Sequence, residues 1–152
     1  MNILFVCTGN TCRSPMAEAI LRDRYPQVAV QSAGVFAVDG VCASGNTYKA
    51  LEECNITLDH RSQPATEELL RWAELVLTMT SQHKQLLIME YPEYEAKIYT
   101  LKEYTGNADE ESHEYDISDP YGGDLHVYRS TRAELEEQID RLIEKIESAK
   151  GK

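Results

Sequence analysis

The chain has 152 residues, a net charge of −11, 42% hydrophobic residues and four cysteines. That length and apolar content suit one domain with a real core, read here as residues 1–150, and argue against global disorder. No apolar run approaches the ~20 residues of a membrane span. The opening MNILFVCTGN has no basic n-region and no cleavage site, so the expected compartment is cytoplasmic, with reduced thiols rather than a disulfide framework. The acidity argues against nucleic acid and anionic membranes as bulk partners, so any anionic ligand must be held by a local site.

In chain order, residues 2–6 (NILFV) form a short apolar run that suits a buried strand. The polar loop CTGNTCRS follows, and Met16, Ala17, Ala19, Ile20 and Leu21 continue at helical spacing. Ser14 before Pro15 reads as an N-cap and first helical residue. A second strand is expected at residues 28–32 and ends at Ala33-Gly34. Helices are expected at 46–54 and 66–72, the latter with acidic residues in its first turn. A third strand follows at 75–79, a helix at 81–89 that stops before Pro92, and a fourth strand at 97–101. Residues 106–123 read as a long polar loop containing an acidic Asp-Glu-Glu run, a length that is often functional. From Thr131 to about Ser148, Leu135, Ile139, Leu142, Ile143 and Ile146 make a helical stripe over the sheet. Glu134, Glu137 and Arg141 are spaced for pairing along it.

Strands alternating with helices predict an α/β fold with a parallel sheet covered on both faces. Ligands in such folds sit beyond the carboxyl ends of the strands, and CTGNTCRS lies at one such end.

Cys7 and Arg13 are separated by five residues, and Ser14 follows. Between a strand and a helix, C-x5-R-S has a specific physical use. The backbone amides of Thr8, Gly9, Asn10, Thr11, Cys12 and Arg13 can curl around one anion, and the helix N-terminus adds partial positive charge. Gly9 permits a positive φ or a close approach, and Asn10 is the next best residue for a left-handed turn. Arg13 offers two parallel donors to a phosphate. The same field favours the thiolate of Cys7, which makes it a nucleophile at the base of an oxyanion cradle. Chance would produce on the order of 0.03 such patterns in a chain with this many cysteines.

VCTGNTCRSPMAEA resembles the catalytic loop of the low-molecular-weight protein tyrosine phosphatases, with its C-x5-R-S-P pattern. Asp119-Pro120-Tyr121 is similar to that family's late Asp-Pro motif. Ser32-Ala33-Gly34 and Asp59-His60-Arg61 are weaker matches. The resemblance covers essentially the whole chain and implies a four-stranded parallel sheet with helices on both sides. It implies attack by Cys7 on phosphorus, stabilisation by Arg13 and the loop amides, and proton transfer by Asp119. Ser14 would donate a hydrogen bond to the thiolate, and no metal or other cofactor is implied. Asn10, Ser14, Ser32 and His60 resemble the polar set that braces the loop. Asp116 competes with Asp119 for the acid, and Tyr121 reads either as a loop anchor or as a pocket wall. In the family a cysteine at the position of Cys12 can form a reversible disulfide with the nucleophile. Cys54 is expected in the core, and Cys42 has no partner in this reading.

Tyrosine-directed members usually carry a bulky aliphatic residue where this chain has Thr11. A phosphoarginine guanidinium is flat and rich in N–H donors, and the Thr11 hydroxyl and the Asp119 carboxylate can accept from it. The loop is accordingly most similar to that of the bacterial protein-arginine phosphatases within the family. The two glycines of DPYGG add to the match by removing bulk at the pocket. Phosphorylated proteins are then the partners, with a protein-arginine kinase as the opposing activity. A tyrosine phosphatase is the alternative. An arsenate reductase needs a relay of further cysteines, and none follows Cys54. A non-catalytic phosphate-binding module would not need Cys7, Arg13 and an acid together. Cys7 and Cys12 are not the C-x-x-C pair of a thiol-redox protein, and no G-x4-G-K-[ST] supports a P-loop kinase.

Overall fold

A computed structural model describes residues 1–106 and 115–150; the acidic run expected between 106 and 123 lies outside them. Four parallel strands, β1 (Asn2–Cys7), β2 (Ala29–Gly34), β3 (Leu75–Thr78) and β4 (Ile98–Thr100), lie in the order β2-β1-β3-β4. The chain order reverses between β1 and β3, the place where open α/β sheets bind ligands.

Strand alternation divides the core between the two faces. Ile3, Phe5, Leu75 and Leu77 join one apolar cluster, and Leu4, Val6 and Val76 join the other. Helices α1 (Arg13–Arg24), α2 (Gly45–Glu52), α5 (Leu101–Thr105) and α6 (Leu125–Lys150) cover the first face. Helices α3 (Glu67–Trp72) and α4 (Ser81–Glu90) cover the second. Leu135, Ile139, Leu142 and Ile146 are the buried stripe of α6, each contributing about 1.5–3 kcal/mol of apolar burial. Ile143 packs against the edge of this stripe. Glu53 ties α6 to the end of α2 by accepting from Arg129 and Arg132 at 2.6 and 2.8 Å. The Arg129 hydrogen bond first, then that of Arg132, holds its carboxyl down at about 2.

Several boundaries differ from expectation, each for a local reason. Helix α1 starts at Arg13 with Cys12 in the cap position, and no side chain caps it. Ser14 lies inside the first turn because its hydroxyl is taken by Asn10 and Cys7. Leu101 begins α5 instead of ending β4, since Thr100 accepts the Glu103 amide at 3.0 Å and starts a helix. Helix α6 begins at Leu125, ahead of Thr131, with the Asp124 carboxylate accepting the Val127 amide. A 3₁₀ helix over Pro92–Lys97 was not expected. Arg141 pairs with Glu137 at 3.0 Å, whereas Glu134 reaches Lys102 and Ser118. Cys54 is half-buried against the core, and Cys42 is exposed beside Arg61. Among the described residues, no helix is long and apolar enough to cross a membrane.

Candidate active site

Cys7 is the last residue of β1, and the chain turns at once into the loop that leads to α1. Its thiol lies 2.8 Å from Ser14 Oγ. Asn10 Nδ2 donates to Ser14 Oγ at 2.8 Å and to Ser32 Oγ at 2.9 Å. With that hydroxyl oxygen already accepting, the single Ser14 proton can go to Cys7 or to Ala33 O at 3.4 Å.

Asn10 is fully buried and adopts φ 58°, the left-handed conformation that costs a non-glycine residue free energy. Its hydrogen bonds over-determine that conformation. Besides the two serines, its Oδ1 accepts the Gln63 amide at 3.0 Å, and its carbonyl accepts His60 Nε2–H at 2.7 Å. Gly9 does not carry the positive φ that sequence allowed it; a Cβ there would meet nothing closer than 3.8 Å. The Thr11 carbonyl is held by the Ser44 amide and by Thr47 Oγ1, both at 3.0 Å. The uncapped first turn of α1 leaves the Arg13 and Ser14 amides without helical acceptors, as an anion site requires.

Arg13 is buried, with Nη1 donating to Ile117 O at 3.1 Å and Nη2 lying 3.6 Å from Asp119 Oδ2. The Asp119 side chain is 57% exposed, so the carboxyl faces both the guanidinium and solvent. Asp116 is directed elsewhere: its Oδ1 accepts the amide of Ser81 at the start of α4. Cys7, Thr8, Gly9, Thr11, Cys12, Arg13, Asp119 and Tyr121 together line one cavity of about 210 Å³. Tyr121 lies on its rim, highly exposed, while its amide donates to Asp119 Oδ1 at 3.1 Å. The side chain thus borders the cavity, whereas the tie to Asp119 is made by the backbone amide. Gly122 and Gly123 follow Tyr121 and are not among the residues that line the cavity. Gly122 has φ +80°, and a Cβ on Gly123 would lie 2.9 Å from that of Val127. The pair shapes the turn into α6.

The structure thus brings together twelve of the residues singled out from sequence and leaves out Asp116. Asn10, Ser14, Ser32 and His60 lie behind the cavity as a brace, and the other eight line it. Sequence reading missed three neighbours. Gln63 supplies its amide to Asn10, and its Nε2 reaches Ser32 O at 2.9 Å. Gly34 was noted as a strand end and as part of a weak match, yet a Cβ there would lie 2.4 Å from Thr8 O. His83, in the first turn of α4, places Nε2 2.8 Å from Thr8 Oγ1. Burial first, then the nearby Arg13 charge, push the His83 imidazole down to about 4, so it is neutral near pH 7. The available signal for His83 was its place just past the carboxyl end of β3, beside that of β1. Cys12 Sγ faces Tyr128 OH at 3.4 Å and Ser44 Oγ at 3.6 Å.

A strand-end cysteine under an amide loop, an arginine and a facing aspartate define a cysteine-dependent phosphatase site. The chain belongs to the low molecular weight phosphotyrosine protein phosphatase family, whose model matches residues 2–152. It is 48% identical over 147 residues to a protein-arginine-phosphatase of Geobacillus stearothermophilus, covering 96% of each chain. It is 47% identical over 150 residues to a protein-arginine-phosphatase of Bacillus subtilis, covering 96% of this chain and 97% of that one. Among solved structures, a YwlE arginine phosphatase mutant with a phosphorylated active-site serine superposes with a TM-score of 0.89 at 46% identity, covering 97% of this chain and 96% of that one.

Proposed function

We propose that this protein is a protein-arginine phosphatase that works through a phosphocysteine. The observation that carries the reading is the shared cavity of Cys7, Thr11, Arg13 and Asp119. The phosphorylated serine of the related structure supports a covalent phosphoenzyme, and the names of the two relatives support the substrate class.

In the first step Cys7 Sγ attacks phosphorus in line with the departing guanidinium nitrogen, forming an S–P bond as the P–N bond breaks. Asp119 gives its proton to that nitrogen. Arg13 and the amides of residues 8–13 hold the equatorial oxygens in both steps, so the loop supplies charge stabilisation from fixed dipoles. Asp119 then takes a proton from water, which attacks phosphorus, breaks the S–P bond and releases phosphate.

Thr11 sets the choice of substrate. Its hydroxyl and the Asp119 carboxylate accept from guanidinium N–H groups, and a pocket built around such bonds discriminates against an aryl ester that lacks them. We expect kcat/KM on phosphoarginine protein to exceed that on phosphotyrosine protein. Thr11→Ile should shift that ratio by at least about tenfold toward phosphotyrosine. A wild-type preference for phosphotyrosine, or a ratio untouched by Thr11→Ile, sinks the assignment.

Cys12 lines the same cavity as Cys7, and both are free buried thiols. In the proposed role it captures a Cys7 sulfenic acid as a disulfide, with loss of water, before further oxidation. Peroxide inactivation should then be reversed by dithiothreitol in the wild type and become largely irreversible in Cys12→Ala. Equal recovery of the two proteins would remove Cys12 from that role. In the cell such an enzyme acts on phosphorylated cytoplasmic proteins and opposes a protein-arginine kinase.

A further inference from the structure

His83 is a buried imidazole that the reaction above does not use. Only 4% of the residue is exposed, its Nε2 lies 2.8 Å from Thr8 Oγ1, and its Nδ1 is buried with no partner among the described residues. Two tautomers fit the Nε2 contact, and they differ in what the unpartnered atom is. If Thr8 donated to Nε2, the proton would sit on Nδ1 and leave a buried N–H donor unsatisfied. If Nε2–H donates to Thr8 Oγ1, Nδ1 is an unsatisfied acceptor instead. Buried orphan N–H groups are the rarer and costlier case. The charge of Arg13 disfavours a second proton on the ring.

The Nε2–H tautomer has a consequence for Thr8, which lines the catalytic cavity next to Cys7. Its oxygen is already accepting from His83, so its own proton must find another acceptor. Thr8 is exposed and borders the cavity, so a phosphoryl oxygen held there can supply that acceptor.

We infer that His83 is a positioning residue that turns the Thr8 hydroxyl into a donor for a phosphoryl oxygen in the pocket. This rests on the phosphatase reading of the site but not on the identity of the leaving group, because the bond is made to the phosphoryl group alone. It adds one neutral side-chain donor to the amides and Arg13. It also explains why a histidine from α4 is sealed against the loop.

The test uses inorganic phosphate as the ligand, with its dissociation constant measured by calorimetry on the intact protein. Thr8→Val is expected to weaken binding about fivefold, the value of one neutral hydrogen bond. His83→Asn cannot reach with its amide as far as Nε2 and should weaken binding to the same degree. His83→Gln, whose amide nitrogen takes the Nε2 position, should stay within about twofold of wild type. The Thr8→Val/His83→Asn double variant should be no weaker than either single one, because both remove the same bond. A double variant weakened by the product of the single effects, or Gln as weak as Asn, overturns the inference. Long-range ¹⁵N–¹H spectra of the wild type read the tautomer directly, whatever the folding of the variants. A proton on Nδ1 overturns the inference, and one on Nε2 supports it. Turnover of phosphoarginine protein measured in parallel separates the two claims: its absence removes the substrate assignment, while the phosphate constants still decide the role of His83.

Discussion

Replacing Cys7 with alanine is expected to lower kcat by at least about 10⁴-fold on both p-nitrophenyl phosphate and phosphoarginine protein. Removal of the thiol removes the covalent route, because the other thiol that lines the cavity, Cys12, is engaged with Tyr128 OH at 3.4 Å and Ser44 Oγ at 3.6 Å. The hydroxyls of Thr8 and Thr11 are bound to neighbouring side chains and are far weaker nucleophiles than a thiolate. The cradle itself should survive. Asn10, His60, Gln63 and Ser32 do not depend on the sulfur for their mutual bonds, so phosphate should still bind with an affinity near that of the wild type. Rapid-quench kinetics provide the check. The wild type should show a burst of leaving group equal to the enzyme present, followed by slower turnover, and the variant should show none. A variant that keeps a burst, or turns over within tenfold of wild type, would place the nucleophile elsewhere.

Gly34→Ala is expected to be nearly as damaging, from a residue that never touches substrate. A Cβ there would sit 2.4 Å from Thr8 O and 2.9 Å from Asn10 N. Both are main-chain atoms of the phosphate loop and cannot rotate aside. The strand end cannot retreat either: the Gly34 amide donates to Gln63 O at 3.0 Å, and its carbonyl accepts the Ala65 amide at 2.9 Å. The loop must therefore move, by enough to misalign the amides. Overpacking of this kind costs about 1–3 kcal/mol, or more where backbone is involved. Misplacing the cradle by about an ångström is worth roughly 100-fold in rate. Urea unfolding and kcat/KM on p-nitrophenyl phosphate measure the two effects. If both stay at the wild-type value, the loop is softer than its contacts imply.

The parts of the site that sequence revealed are those that are contiguous in the chain. CTGNTCRS carries the proposed nucleophile, the cradle and the arginine within eight consecutive residues, so the proposed chemistry is legible without a fold. Asp119 was legible because Asp-Pro-Tyr resembles a known motif, and what sets it apart from Asp116 came only with the structure: Asp119 lines the cavity, while the Asp116 carboxylate accepts the Ser81 amide. Gln63 and His83 were not legible as partners of the loop. Each reaches it through sheet topology, across separations of 53 and 75 residues. The alternation of strands and helices gave the layers, but capping chemistry decided the ends. Ser14 looked like a cap because of its neighbour Pro15, and it lost that role to a stronger local demand, the bonds to Asn10 and Cys7. Thr100 was read as strand interior because KIYTL is apolar enough to be one, while its hydroxyl starts a helix.

The buried Asn10 has a thermodynamic meaning beyond its geometry. Its left-handed backbone is held by partners from β2, from the segment around His60 and Gln63, and from α1. Ordering the loop is thereby made part of folding and not part of substrate capture. The entropy of arranging those amides is lost once, when the chain folds, and the strain at Asn10 is charged against global stability. A phosphoryl group that enters the cavity meets donors already in position, so the free energy of its contacts is not diminished by the cost of assembling them. In a chain with 26 acidic and 15 basic side chains, that economy of ordering compensates for an unfavourable long-range field.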